Sequence, residues 1–227
     1  EIVDTFNYLG IMFSYNGTFT HCKKRLVEQA TKAMWSLLRK CRKLSLPISV
    51  QTSLFDQTVL PILLYCAEVW GAEKIKIVER IQLKFCKIAL HVKSSTTTSM
   101  VYGELGRCPV DNIINLRMVT FWAKIINGPT DKYSNRMYRL CLDLHRQGIC
   151  NIPWLDKIKN ILDTLGFSDI WNSQDRRVFN TEWLVNAVKL KLDDQYRQTW
   201  LMNVNASSKC TNYRTFKDEL KFEDYLD

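Results

Sequence analysis

Asp193 and Asp194, in Leu190-Lys191-Leu192-Asp193-Asp194-Gln195-Tyr196, are the pair whose type and spacing come nearest to metal-dependent chemistry. Two acids side by side on a strand–turn–strand can hold two Mg²⁺ ions and drive phosphoryl transfer. Here the neighbours follow helical spacing and no turn flanks the pair. On a helix, adjacent carboxylates point about 100° apart and are solvated, so the pair is read as a decoy. Cys141 and His145 stand i, i+4 on one helix face with Cys150 near, but a zinc site needs a fourth ligand. A core cysteine beside a partly exposed histidine is the preferred reading. His21-Cys22 and Cys86…His91 are isolated in the same way. The sequence holds no Gly-rich phosphate loop, nucleophile elbow or His-Glu-x-x-His. No catalytic residue and no metal ligand is assigned.

The cations carry more information. Residues 1–150 hold 21 Lys+Arg against 11 Asp+Glu (+10), and residues 151–227 hold 11 against 12 (−1), which sum to the net +9. A basic patch confined to the first two thirds of a chain points to an anionic partner, nucleic acid ahead of membrane lipid. On a helix expected over 21–43, Leu26, Ala30, Ala33, Leu37, Cys41 and Leu44 share the inward arc. Lys24, Arg25, Lys32, Arg39, Arg42 and Lys43 fall opposite, with Glu28 the lone acid there and Trp35 at the edge of the basic face. A helix over 73–91 repeats the scheme. Ile77, Val78, Ile81, Phe85 and Ile88 form its apolar side, and Lys76, Arg80, Lys84 and Lys87 line up at spacings of four, four and three. Cationic stripes on rigid helices neutralise several phosphates at once, and neighbouring aromatics stack on bases. One such stripe alone would be read as a solvated outer face.

The elements that must position these stripes begin with a small β element. The alternating segment from Phe6 closes at Asn16-Gly17, a tight-turn signal. Thr20 is placed as the N-cap of the first basic helix, and Leu44-Ser45-Leu46-Pro47 breaks it. A helix over 49–70 comes next, kinked at Pro61 and ended by Gly71. The run Ser94 to Ser99 is a polar connector to a short helix ending near Gly103–Gly106. A helix from Pro109 stops before Gly128-Pro129, the clearest punctuation in the chain. Shorter helical segments are expected near 133–147, 154–165, 174–201 and 213–226. Trp154, Trp171, Trp183 and Trp200 recur at helical spacings, as in Trp183, Ala187, Leu190, and are read as core.

Composition excludes several classes. With 46% hydrophobic and 11% aromatic residues the chain is not disordered by composition. No uninterrupted apolar run reaches about 18 residues, so no transmembrane helix is expected. Eight scattered cysteines without a C-x-x-C pair fit buried thiols in a reducing, intracellular compartment, nuclear or cytoplasmic. The sequons Asn16-Gly17-Thr18 and Asn205-Ala206-Ser207 are set aside on the same ground.

The string Phe6-Asn7-Tyr8-Leu9-Gly10 resembles the primer-grip motif of reverse transcriptases from non-LTR (LINE-like) retrotransposons. Leu46-Pro47-Ile48-Ser49, then Leu60 to Tyr65 and Glu68-Val69-Trp70-Gly71, look like that family's thumb region. Gln82 to Lys87 and Val101 to Arg107 are similar to the family's next segments downstream. Tyr213 to Lys217, with Glu223 to Leu226, looks like the stretch before the family's C-terminal Cys/His finger. The likeness is good over about residues 1–122 and looser beyond. Cys66 and His91 stand where the family often has glycine, which bears on tight backbone packing at those two places.

The resemblance implies a mainly α fold with an N-terminal β-hairpin, a multi-helix thumb-like bundle and a smaller helical C-terminal lobe. The expected division is 1–19 for a primer-grip-like hairpin, 20–128 for a basic thumb-like domain and 129–227 for a linker lobe. Tyr8, Leu9 and Gly10 would form the grip, with Gly10 allowing a tight turn close to the strand. The implied partners are RNA, DNA or their hybrid, bound through the backbone, with no membrane and a protein partner conceivable through 151–227. The family's x-x-Asp-Asp string should precede the grip, where only five residues stand, so no activity is expected of the isolated chain. Mg²⁺ is expected only for a complete polymerase. The alternative is a helical protein-interaction module or a relic without a nucleic-acid role.

Overall fold

The computed structural model describes residues 3–175 and 179–227. It is mainly helical, with one antiparallel hairpin at the N-terminus. Strands β1 (Thr5–Tyr8) and β2 (Ile11–Ser14) pair Phe6 with Phe13 and Tyr8 with Ile11. The two-residue turn between them is Leu9-Gly10, not Asn16-Gly17. Both turn residues have positive φ, 48° and 84°, as a type I′ turn requires. Asn16-Gly17 instead ends β2: Asn16 Oδ1 accepts from the Thr18 N–H at 3.1 Å.

Thr20, expected as an N-cap, is instead the first residue of its helix. Helix α1 (Thr20–Lys43) has Phe19 at its N-cap position, without a side-chain cap, and the Phe19 ring lies edge-on to Phe13 at 5.8 Å. Leu26, Ala30, Leu37 and Cys41 of the expected inward stripe of α1 are buried, together with Met34 and Leu38; Ala33 is half-buried, and Leu44 lies just past the helix end and is exposed. The single helix expected over 49–70 is three: α2 (Ile48–Thr58), α3 (Leu60–Leu63) and α4 (Ala67–Trp70). Pro61 lacks an N–H and sits in the first turn of α3, so the ladder restarts there rather than bending. The second break is at Cys66, whose φ is 52°.

Helix α5 (Lys76–Ala89) is followed by α6 (Thr98–Glu104), α7 (Val110–Asn127), α8 (Tyr133–Arg146) and α9 (Pro153–Thr164). The helix expected over 174–201 begins later. Gln174, at φ 50°, ends α10 (Ser168–Ser173), residues 176–178 lie outside the described residues, and Asn180 opens α11 (Thr181–Ala206). Its Oδ1 accepts from the N–H groups of Glu182 and Trp183 at 2.8 and 3.2 Å, a side-chain N-cap. The helix expected over 213–226 is absent. That segment makes two short 3-10 turns, Tyr213–Thr215 and Asp224–Leu226, and pairs Phe222 with Leu105 as an isolated β-bridge. Most of its backbone bonds are local, and the Glu223 N–H crosses to the Glu104 carbonyl at 3.1 Å.

Two compact units make up the chain, each drawn from separated stretches. The first holds the residues through Cys66, Ile75–Val110 and Gln195–Asp227, and the second holds Ala67–Lys74 and Asp111–Asp194. The 129–227 stretch contributes to both units. The first unit packs α1, α2, α3 and α5 around Met34, Leu63, Leu64 and the stacked pair Phe55–Phe85 (4.1 Å between centroids). A smaller cluster of Trp200, Val204, Cys210 and Tyr213 adjoins it. The second unit is centred on Trp122, which stacks on Phe179 and donates to the Tyr138 hydroxyl at 2.9 Å. Gly71 belongs here: a Cβ at this position would collide with the Ile114 side chain and the Ala67 carbonyl.

Trp171 and Trp200 are buried as expected, and Trp154 is half-buried. Trp183 and Leu190 are corrections, at 54% and 65% exposed. The buried residues in the first half of α11 are Leu184, Val188 and Leu192, one to two residues out of phase with Trp183, Ala187, Leu190. At 100° per residue, a one-residue error moves a stripe from the core to the surface.

Candidate nucleic-acid interface

Helices α1 and α5 pack directly against each other, which brings the two basic faces into one unit. Lys24, Lys32, Arg39, Arg42 and Lys43 are exposed on α1 and Arg25 is half-buried; on α5, Lys76, Arg80 and Lys84 are exposed and Lys87 half-buried. Among the described residues, none of these ten cations forms an ion pair. The ion pairs lie elsewhere: Arg107–Asp56, Lys157–Asp111, Lys217–Glu223, Lys221–Glu219 and His145–Asp156. Lys87 departs from the others, because its Nζ donates to the Ser94 carbonyl at 2.6 Å.

The one acid of α5 is turned inward. Glu79 accepts from the Tyr102 hydroxyl through one carboxylate oxygen and from the Val110 N–H, at 2.8 Å, through the other. This leaves the outer face of α5 with cations alone. Glu79 belongs to a buried polar network that periodicity does not reveal. Gln82 donates to the Cys108 carbonyl at 2.8 Å, and Arg107 grips Asp56 with both terminal nitrogens while its guanidinium lies 5.7 Å from the Phe55 ring. Burial, reinforced by the Glu79 carboxylate, pushes the Tyr102 hydroxyl far above its ordinary range. Burial likewise lifts the Cys86 thiol to about 12. For Arg107, burial pulls down, but the hydrogen bond to Asp56 and neighbouring groups outweigh it and the pKa rises. The network is held neutral or paired, as an interior requires.

Trp35 bridges the two basic faces. It is 43% exposed, and Lys84 Nζ of α5 sits 4.9 Å from its ring centroid. The same Lys84 lines an open groove of about 700 Å³ formed with Val27 of α1, with Ile77, Ile81, Leu83 and Ile88 of α5, and with Val92 and Ser94 beyond it. Arg80 and Lys87 also line this groove.

Tyr8, Leu9 and Gly10 form the hairpin tip. Leu9 is 74% exposed, and Tyr65 steadies the turn by donating its hydroxyl to the Leu9 carbonyl at 2.8 Å. A Cβ on Gly10 would meet the Tyr65 ring at 3.4 Å. Tyr65 is a site residue that sequence reasoning missed; its one signal is a place in the Leu60-to-Tyr65 string.

The other sequence candidates separate. Asp193 and Asp194 lie on α11, away from any strand or turn. His145 is engaged at both ring nitrogens. The Ile152 N–H donates to Nδ1 at 3.2 Å and Nε2 lies 3.1 Å from Asp156 Oδ1, so the ring ties α8 to the start of α9. Among the described residues no group of three His, Cys, Asp or Glu side chains is arranged to hold a metal ion. No helix among them is long and apolar enough to cross a membrane. All eight cysteines are free thiols. No family model, no curated protein and no solved structure matches this chain.

Proposed function

We propose that this chain is the primer-grip, thumb and linker region of a non-LTR retrotransposon reverse transcriptase, and that it holds template–primer nucleic acid through backbone phosphates. The observation that carries this reading is the set of ten cations on the adjoining helices α1 and α5 without an ion-pair partner among the described residues. Such a concentration of like charge raises the energy of the free protein and is offset when phosphates enter and counter-ions leave. The exposed Leu9-Gly10 turn, anchored by Tyr65, supplies a projecting tip for a primer end. RNA, DNA and hybrid are all ligands of a backbone-directed site, and the setting is intracellular, nuclear or cytoplasmic.

Chemistry is not assigned to these residues. Mg²⁺ belongs to a complete polymerase, and Mg²⁺ with deoxynucleotides is expected to give no primer extension by this chain; extension would contradict the assignment. The direct test is reversal of Lys76, Arg80, Lys84 and Lys87 to Glu. Binding to a template–primer duplex in a filter assay should be lost while the helical circular dichroism is kept. Retained binding would refute the reading.

A second reading rests on Trp183 and Leu190, an exposed apolar pair seven residues apart on one face of α11. It makes the chain a helical protein-interaction module through 151–227. A partner whose binding is lost on Trp183→Ser, with no nucleic acid retained by the unmodified chain, would favour it.

A further inference from the structure

We infer that the α1–α5 groove takes unpaired nucleotides of a single strand, bases inward on its apolar floor and phosphates outward on its cationic rim. The inference rests on the nucleic-acid reading above and sharpens it from backbone holding in general to one form of substrate. Its first support is the groove's composition. The floor of Val27, Ile77, Ile81, Leu83, Ile88 and Val92 is apolar, Ser94 is the one uncharged polar residue of the lining, and Arg80, Lys84 and Lys87 stand along it. A duplex presents phosphates and buries its bases, so it would leave that floor exposed to water. A single strand can cover the floor with base faces while its phosphates meet the cations.

The second support is Trp35, an indole left open to solvent on the cationic side of α1 with the Lys84 ammonium 4.9 Å from its centroid. A flat aromatic surface held next to a phosphate-binding cation is the arrangement on which a base stacks whatever its identity. The charge pattern points to the occupant as well. Glu79, the one acid of α5, is spent on Tyr102 and Val110, so no carboxylate of that helix faces a strand lying along it.

The test compares fluorescence anisotropy of a labelled oligo(dT) of roughly 12 nucleotides, within the span of known single-strand sites, with a blunt duplex of the same length. Trp35→Ala should weaken the single strand by roughly tenfold or more and leave the duplex within a factor of about two. Trp35→Phe, which keeps a stacking face, should recover most of the loss. As an independent readout, ultraviolet irradiation of a bromouracil-substituted strand should cross-link to Trp35. Single-strand binding indifferent to both substitutions, or equal losses on duplex and single strand, would overturn the inference while leaving the broader reading standing. Saturable binding of a Leu/Glu-rich helical peptide that Trp35→Ala does not weaken, with the oligonucleotide unable to displace it, would also overturn it. Failure of every nucleic acid to bind would sink both readings together.

Discussion

The two faces of α5 use charge in opposite ways. Inward, Glu79 and Gln82 join Tyr102, Arg107 and Asp56 in a network where carboxylate, phenol and guanidinium find partners. Outward, Lys76, Arg80, Lys84 and Lys87 have no carboxylate partner among the described residues. The inner set holds α5 to α2 and α6, and the outer set leaves its charge available. On this account the inner face is a stability device and the outer face a binding device, so substitutions on the two should have separable effects.

The largest effect is expected inside. Arg107→Ala leaves Asp56 without its bidentate partner and should cost about 2–3 kcal/mol in urea melts, below the figure for a fully buried pair because Asp56 stays half-exposed. Where the variant remains folded, its nucleic-acid affinity should be unchanged. Outside, the double variant Arg80→Ala, Lys84→Ala should reverse this pattern. The salt dependence of binding should become shallower by about 2, roughly one for each phosphate contact removed, with the melting midpoint within about 0.5 kcal/mol of the parent.

A smaller effect is expected at the end of the helix that carries both faces. His91 holds φ 52° just past α5, in a cap where its N–H bonds the Ile88 carbonyl and the Val92 N–H bonds the Lys87 carbonyl. His91→Gly should stabilise by about 1 kcal/mol or less, since relief of the left-handed strain outweighs the added freedom of the unfolded chain. Hydrogen exchange of the α5 C-terminal amides would register it.

Alkaline pH should weaken the inner face. The Cys86 pKa is raised by burial from 9.0 to about 12, so the folded state keeps a proton that the unfolded state releases. Its stabilising contribution is full below about pH 9 and is lost as pH rises towards 12. The phenol of Tyr102, raised further by burial and Glu79, acts in the same direction. Urea midpoints should therefore fall from pH 8 to pH 10, and Cys86 should resist alkylation at pH 8 while the exposed Cys150 reacts.

Much of this molecule is legible in its sequence because amphipathic periodicity is a local signal. The inward stripe from Leu26 to Cys41, the cations opposite it and the apolar side of α5 all follow from 3.6-residue spacing. The illegible features depend on partners remote in sequence. Glu79 reads as one more surface charge until Tyr102, 23 residues on, and Val110, 31 residues on, take its oxygens. The 213–226 tail has helical spacing, but its backbone pairs with the 104–106 loop instead. Gly106 admits that pairing, for a Cβ there would lie 2.5 Å from the Phe222 nitrogen. Cys66 and His91 are both left-handed. Their backbone conformation is therefore the one glycine adopts at least cost, and the side chains bear the strain.

The central claim, that the outward cations of α1 and α5 hold nucleic acid by its phosphates, is tested most directly by the salt dependence of the dissociation constant. If about 6 phosphates are engaged, log K should fall against log salt with a slope of about −4 for a single strand and about −5 for a duplex. The double variant Arg80→Ala, Lys84→Ala, which keeps measurable binding, should be shallower by about 2. Affinity that does not change with salt, or a slope the variant leaves intact, would contradict the account.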